Sequence, residues 1–94
     1  MRTTERIVRN PSGFHARPAA MFVQTAARFA SRITLENLER GSAPVDAKSI
    51  LMVLTSGAAK GHRIRVTAEG PDEEEAIATL EAFVDAGMGE TIED

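Results

Sequence analysis

The chain has 94 residues, a formal net charge of −3, 43% hydrophobic and 27% charged residues, and no Cys, Trp or Tyr. That length suits one domain, residues 1–94, around a single modest core, and without cysteine there is neither a disulfide framework nor thiol chemistry. Slight acidity, with four Phe as the only aromatic residues, argues against a basic nucleic-acid groove or a base-stacking platform. No apolar run approaches the roughly 18 residues of a membrane span and no signal peptide opens the chain, so a cytoplasmic protein with protein partners is expected.

Residues Thr3 to Arg9 read as a short strand whose buried face alternation leaves open, since Ile7 and Val8 are its only bulky apolar residues. Asn10-Pro11-Ser12-Gly13 then breaks the strand, with Pro11 fixing its own φ and Gly13 free to take a positive one. Ala19, Phe22, Val23, Ala26, Phe29 and Ala30 recur at steps of three and four, which predicts an amphipathic helix from about Ala16 to Ala30. Ile33-Thr34-Leu35-Glu36 alternates as a half-buried strand. Between Asn37 and Pro44 a hairpin leads to a weaker strand around Ala43 to Asp46, placed at a sheet edge by Pro44.

From Ala47 to about Thr55 the chain is apolar nearly all round. A short helix on a small domain cannot bury Ile50, Leu51, Met52, Val53 and Leu54 together, so part of the segment is expected to be exposed as a protein-binding patch, the alternative being burial under the longer helices. Ser49 suits a helix start, where its hydroxyl satisfies an orphan amide. Arg63 to Glu69 alternates cleanly, with Ile64, Val66 and Ala68 inward, and His62 before it reads as solvated. Asp72 reads as the N-cap of an acidic helix start whose glutamates form a solvated face rather than a metal site. Ala76, Ile77, Leu80, Phe83 and Val84 complete the last apolar stripe, Gly87 and Gly89 end it, and the tail beyond should fray.

The order of elements predicts a two-layer α+β domain in which one antiparallel sheet carries the helices on a single face, a pattern shared with ferredoxin-like folds. Its chemistry concentrates at Asn10 to Pro18. Pro18 fits the first turn of the helix, which leaves His15 at or just before the helix N-terminus. An anion beside the ring would meet the free Ala16 and Arg17 amides, the positive end of the helix and the Arg17 guanidinium. A neutral imidazole keeps a lone pair for attack, and a phosphoryl group on it would gain those same donors while its N–P bond stays labile. No base, metal pattern or Ser-His-Asp arrangement accompanies it, so the stretch describes a carrier better than a hydrolase; spacing alone also allows a solvated loop histidine.

The run Gly13-Phe14-His15-Ala16-Arg17-Pro18-Ala19-Ala20 resembles the active-site signature of the HPr family, the histidine-containing phosphocarriers of the phosphoenolpyruvate-dependent sugar phosphotransferase system. Ala47-Lys48-Ser49-Ile50-Leu51 resembles its regulatory serine segment, and Gly57-Ala58-Ala59-Lys60-Gly61 the turn that follows. That resemblance implies an open-faced β-sandwich with strand order 1-4-2-3 and three helices on one face. It implies that His15 accepts a phosphoryl group from enzyme I on Nδ1 and passes it to IIA components of sugar permeases, without an independent enzymatic reaction and without a cofactor, the divalent metal belonging to the upstream enzyme. By the same resemblance Arg17 stabilises the phosphoryl charge, the Ala16 and Arg17 amides position it, Phe14, Ile50, Leu51 and Leu54 dock partners, and Ser49 is a regulatory phosphorylation site. Met52 departs from the family's usual small glycine, and the 37–44 connection is longer than its usual hairpin. The chain is expected to be a monomer. Two alternatives keep the fold: a regulatory module acting through Ser49 on a kinase or transcription regulator, and a carrier in a nitrogen-linked or metabolite-kinase branch of the relay.

Overall fold

The computed structural model describes residues 1–92. In chain order its elements are β1 (Arg2–Ile7), α1 (Ala16–Ala26), β2 (Arg32–Asn37), β3 (Val45–Asp46), α2 (Ile50–Thr55), β4 (Arg63–Glu69) and α3 (Glu73–Asp85). The strands form one antiparallel sheet in the order β1-β4-β2-β3. The cleanly alternating segment is thus central, where both edges of its backbone are paired. Its buried Ile64, Val66 and Ala68 lie level with Leu35 and Ile33 of β2 and make the floor of the core. Phe22 and Ala26 of α1 and Ala76, Leu80 and Val84 of α3 close that core from above. On the other face Arg65 reaches sideways to Glu5 (3.0 Å) and Glu36 (3.5 Å), the cross-strand pairing of opposite charges that an open sheet face favours.

The inward face of β1, which alternation left open, is largely polar. Val8 is buried just past the strand while Ile7 lies on the exposed side. Thr4 donates to Glu81 (2.5 Å), and Arg6 grips Asp85 through Nε (3.0 Å) and Nη2 (2.5 Å), a bidentate fork between β1 and α3. Arg2 pairs with Glu74, and the N-terminal amine with Glu73 at 2.7 Å. The first strand is therefore held to the last helix by charge, which hydrophobic periodicity does not register.

Four expectations are corrected. Helix α1 stops at Ala26, not Ala30: Ala30 is exposed, and the chain turns because Asp72 accepts from the Ala30 amide (2.8 Å), the Ser31 amide (2.9 Å) and the Ser31 hydroxyl (2.5 Å). Asp72 precedes α3 but makes no side-chain cap to it, because those three donors from the α1–β2 turn occupy its carboxylate. Hydrogen bonds, first from the Ser31 hydroxyl and then from the Ala30 amide, hold this carboxyl below its ordinary range. The third strand is only Val45–Asp46, starting after Pro44. Nor does the tail simply fray after Gly89: Glu90 is tied back to the turn before α1.

Candidate functional site

Backbone pairing carries β1 one residue beyond its end, through Val8 N–H to His62 O (2.9 Å) and Gly61 N–H to Val8 O (2.8 Å). The chain then turns on itself. Gly13 N–H donates to Asn10 O (3.1 Å), and the buried Asn10 side chain donates to Gly13 O (2.8 Å). Gly13 takes φ of +59° and lies so close to the 57–61 turn that a Cβ there would come within 2.6 Å of Ala58 O. That approach aligns Phe14 N–H with Ala58 O at 2.8 Å. The tight packing fixes where the next residue, His15, leaves the loop.

His15 occupies the N-cap position of α1 in extended conformation (φ −83°, ψ 179°), with its carbonyl accepting the Ala19 amide (2.8 Å) and its exposed ring making no cap bond. Ala16 and Arg17 follow as exposed residues in a first turn that holds no acidic side chain, and Pro18 is buried behind them. Amides at these two positions have no intrahelical acceptor. Ring, amides and guanidinium thus share one end of α1, which carries the positive end of the helix dipole.

Phe14 is corrected from docking residue to core: it is 4% exposed and meets Phe22 edge-on at 5.0 Å between ring centres. An aromatic beside a histidine that must face solvent turns the other way, because successive residues of an extended segment point to opposite sides. The patch residues on α2 divide as a short helix requires. Val53 is fully buried, whereas Ile50, Met52 and Leu54 are about two-fifths exposed (40%, 41% and 39%) and Leu51 69%. Ser49 is the N-cap of α2, its hydroxyl accepting from Met52 N–H at 3.3 Å.

His62 is not merely solvated. Its Nδ1 accepts from the Ala59 amide (3.1 Å) and meets the side-chain amide of buried Asn37 (3.2 Å), so the ring braces the 57–61 turn against which Gly13 packs. Sequence reasoning read Asn10 only as a turn residue and passed over Glu90. An Asn in a turn is a recognisable signal, but the partner of Glu90 lies 80 residues away in sequence. Glu90 accepts from Asn10 Nδ2 (2.9 Å), Ser12 N–H (3.1 Å) and the Ser12 hydroxyl (2.8 Å). These bonds, Asn10 foremost, and the nearby Arg17 charge hold the Glu90 carboxyl below its usual range. No group of three or more His, Cys, Asp or Glu able to hold a metal ion occurs among the described residues.

A family model described as the PTS HPr component phosphorylation site matches residues 3–86. The chain belongs to the HPr family. HPr-C-His from Thermoanaerobacter tengcongensis superposes with a TM-score of 0.90 at 40% identity, covering 98% of this chain and all (100%) of that one. The phosphocarrier protein HPr of Bacillus anthracis gives 0.82 at 38% identity over 88% of this chain and 95% of its own. The multiphosphoryl transfer protein of Salmonella typhimurium is 42% identical over 88 residues, which are 94% of this chain and only 23% of that protein. The chain thus spans about a quarter of the length of the curated relatives it matches. The likeness to the two solved HPr structures confirms the open-faced sandwich and the 1-4-2-3 order expected of an HPr fold.

Proposed function

We propose that this HPr-family chain is a phosphocarrier that accepts a phosphoryl group on His15 and passes it on. One observation carries the reading: an exposed imidazole stands at the N-terminus of an 11-residue helix, beside two first-turn amides without intrahelical acceptors and the exposed Arg17. The lone pair of neutral His15 Nδ1 attacks phosphorus of a phosphohistidine on enzyme I as the donor N–P bond breaks. His15 gives up its Nε2 proton as the bond forms and the departing ring takes up one in its place, so the donor imidazole leaves neutral. One N–P bond replaces another, so the step needs no net proton and runs in either direction. Arg17 and the Ala16 and Arg17 amides take up the charge on the three phosphoryl oxygens. Placement of the reacting nitrogens falls to the docked partner, for which Ile50, Leu51 and Leu54 offer the apolar surface. In this reading the group goes on to a IIA component of a sugar permease, and the protein works in the cytoplasm as a carrier rather than an enzyme.

Intact mass measured after incubation with enzyme I, magnesium and phosphoenolpyruvate tests this. We expect a gain of about 80 Da, one phosphoryl group, acid-labile and absent from His15→Ala. No gain with a competent enzyme I refutes the carrier.

Ser49 supports a regulatory role on the same face. Its hydroxyl lies at the start of α2, next to Ile50 and Leu51. A phosphate there would add about −1.5 to −2 charge to the rim of the apolar patch and disfavour docking. Ser49→Asp should raise the KM for transfer from enzyme I and leave the His15 chemistry intact at saturation; an unchanged KM refutes the role.

A further inference from the structure

The last helix ends in an unusual path. Gly87, Met88 and Gly89 are all left-handed, with φ of +94°, +50° and +85°. Met88 is the one non-glycine residue with positive φ among those described, and it is fully buried. Such a conformation persists for a side-chain-bearing residue only where surrounding structure enforces it, and it draws attention to what the strained segment delivers. Here the segment is enforced at both glycines: a Cβ on Gly89 would fall 2.8 Å from the Met21 sulfur, and one on Gly87 2.5 Å from Glu90 O. What it delivers is the Glu90 carboxylate, carried back from the end of α3 to the turn that precedes His15.

Three donors of that turn converge on Glu90. Oε1 accepts from Asn10 Nδ2 and Ser12 N–H, and Oε2 from the Ser12 hydroxyl. Asn10 has no exposed surface and spends its two side-chain N–H groups on Gly13 O and Glu90, leaving its own Oδ1 buried without a partner. A buried polar atom left unsatisfied disfavours the fold. Asn10 keeps this orientation because either acceptor would repel the carbonyl of a flipped amide. The turn is thereby held both by Glu90 and by the close approach of Gly13 and Phe14 to Ala58 O.

We propose that Glu90 is a positioning residue for phosphoryl transfer, holding residues 10–13 so that His15 leaves the turn in the orientation a docked partner can use. The role rests on the carrier reading above. Glu90 lies outside the apolar patch of α2, so it governs the chemical step in the docked complex and not the strength of docking.

Glu90→Ala and Glu90→Gln separate the possibilities. Alanine removes the tether. Glutamine keeps it, because its carbonyl serves Asn10 and Ser12 N–H while the Ser12 hydroxyl turns to accept from its amide. Transfer from phosphorylated enzyme I should show kcat lowered about tenfold in Glu90→Ala with KM within about twofold of wild type, and both constants near wild type in Glu90→Gln. Wild-type kcat in Glu90→Ala, with the tether gone, overturns the proposal. Equal impairment of both variants also overturns it, since the effect would then lie in the negative charge near Arg17. Hydrogen exchange at the Ser12 amide reads the tether without any phosphoryl donor: faster in Glu90→Ala and unchanged in Glu90→Gln is expected, and equal rates in all three proteins overturn it. If wild type accepts no phosphoryl group while Ser12 exchange still responds to alanine, the carrier reading has failed and the tether is structural only.

Discussion

Replacing Gly13 with alanine separates two effects that usually arrive together. Gly13 has φ of +59°, and a Cβ there would meet Ala58 O at 2.6 Å and Ala59 Cα at 2.7 Å, both backbone atoms of a turn already fixed by His62. Gly41 has nearly the same φ, +62°, with nothing within 4 Å of an added Cβ. Left-handed φ costs an alanine about 1–2 kcal/mol, offset by about 0.4–1 kcal/mol from the smaller entropy of the unfolded chain. Gly41→Ala should therefore destabilise by about 0–1.6 kcal/mol. Gly13→Ala bears the same balance plus a clash that only a shift of the 57–61 turn relieves, a further ~1–3 kcal/mol by analogy with overpacking. With a urea slope of about 1 kcal/mol per M, its midpoint should fall ~1–3 M below that of Gly41→Ala. Far-UV circular dichroism is the suitable probe because the chain has no Trp or Tyr. Coincident midpoints for the two variants would refute the claim that close approach, rather than φ alone, demands glycine at the start of the site.

Two substitutions on α2 should part company: Leu51→Ala, 69% exposed, should leave stability within about 0.5 kcal/mol while raising the KM for transfer. Val53→Ala, fully buried on the same helix, should cost about 2 kcal/mol in urea unfolding. Asp72, Glu73 and Glu90 all have carboxyls held below their ordinary range, mainly by Ser31, the N-terminal amine and Asn10 respectively. Their stabilisation is full above the unfolded carboxylate range near pH 4 and is lost as pH falls through the lower folded values. Melting temperature should therefore drop below about pH 4, and less steeply in Asp72→Asn; parallel curves would count against the Asp72 contribution. Replacing His62 with alanine removes one acceptor from the Asn37 amide, whose bond to Ser56 O remains, leaves the exposed Ala59 amide to water, and should cost about 1 kcal/mol, read as a lower urea midpoint.

Much of the architecture was legible in the sequence because its signals are local. Alternation placed β4 and β2, the 3.6-residue stripes placed α1 and α3, and the excess of apolar residues on α2 announced an exposed patch whatever the fold. His15 was legible for the same reason: Gly, Pro and the first turn of a helix lie within a few residues of it. Other features depend on distance in sequence. The end of α1 at Ala26 is set by Asp72, and the polar inner face of β1 by carboxylates on α3, neither of which a window of neighbouring residues contains. Phe14 shows where the resemblance misassigned a side chain: it implied a docking residue, whereas extended backbone turns Phe14 away from the exposed His15 and into the core. Composition and periodicity determined which segments are strands and helices and that an imidazole stands at a helix start. Only the tertiary structure decided which residues hold that imidazole in place, because Ala58, His62 and Glu90 act through hydrogen bonds and close contacts that exist only once the sheet has brought both ends of the chain together.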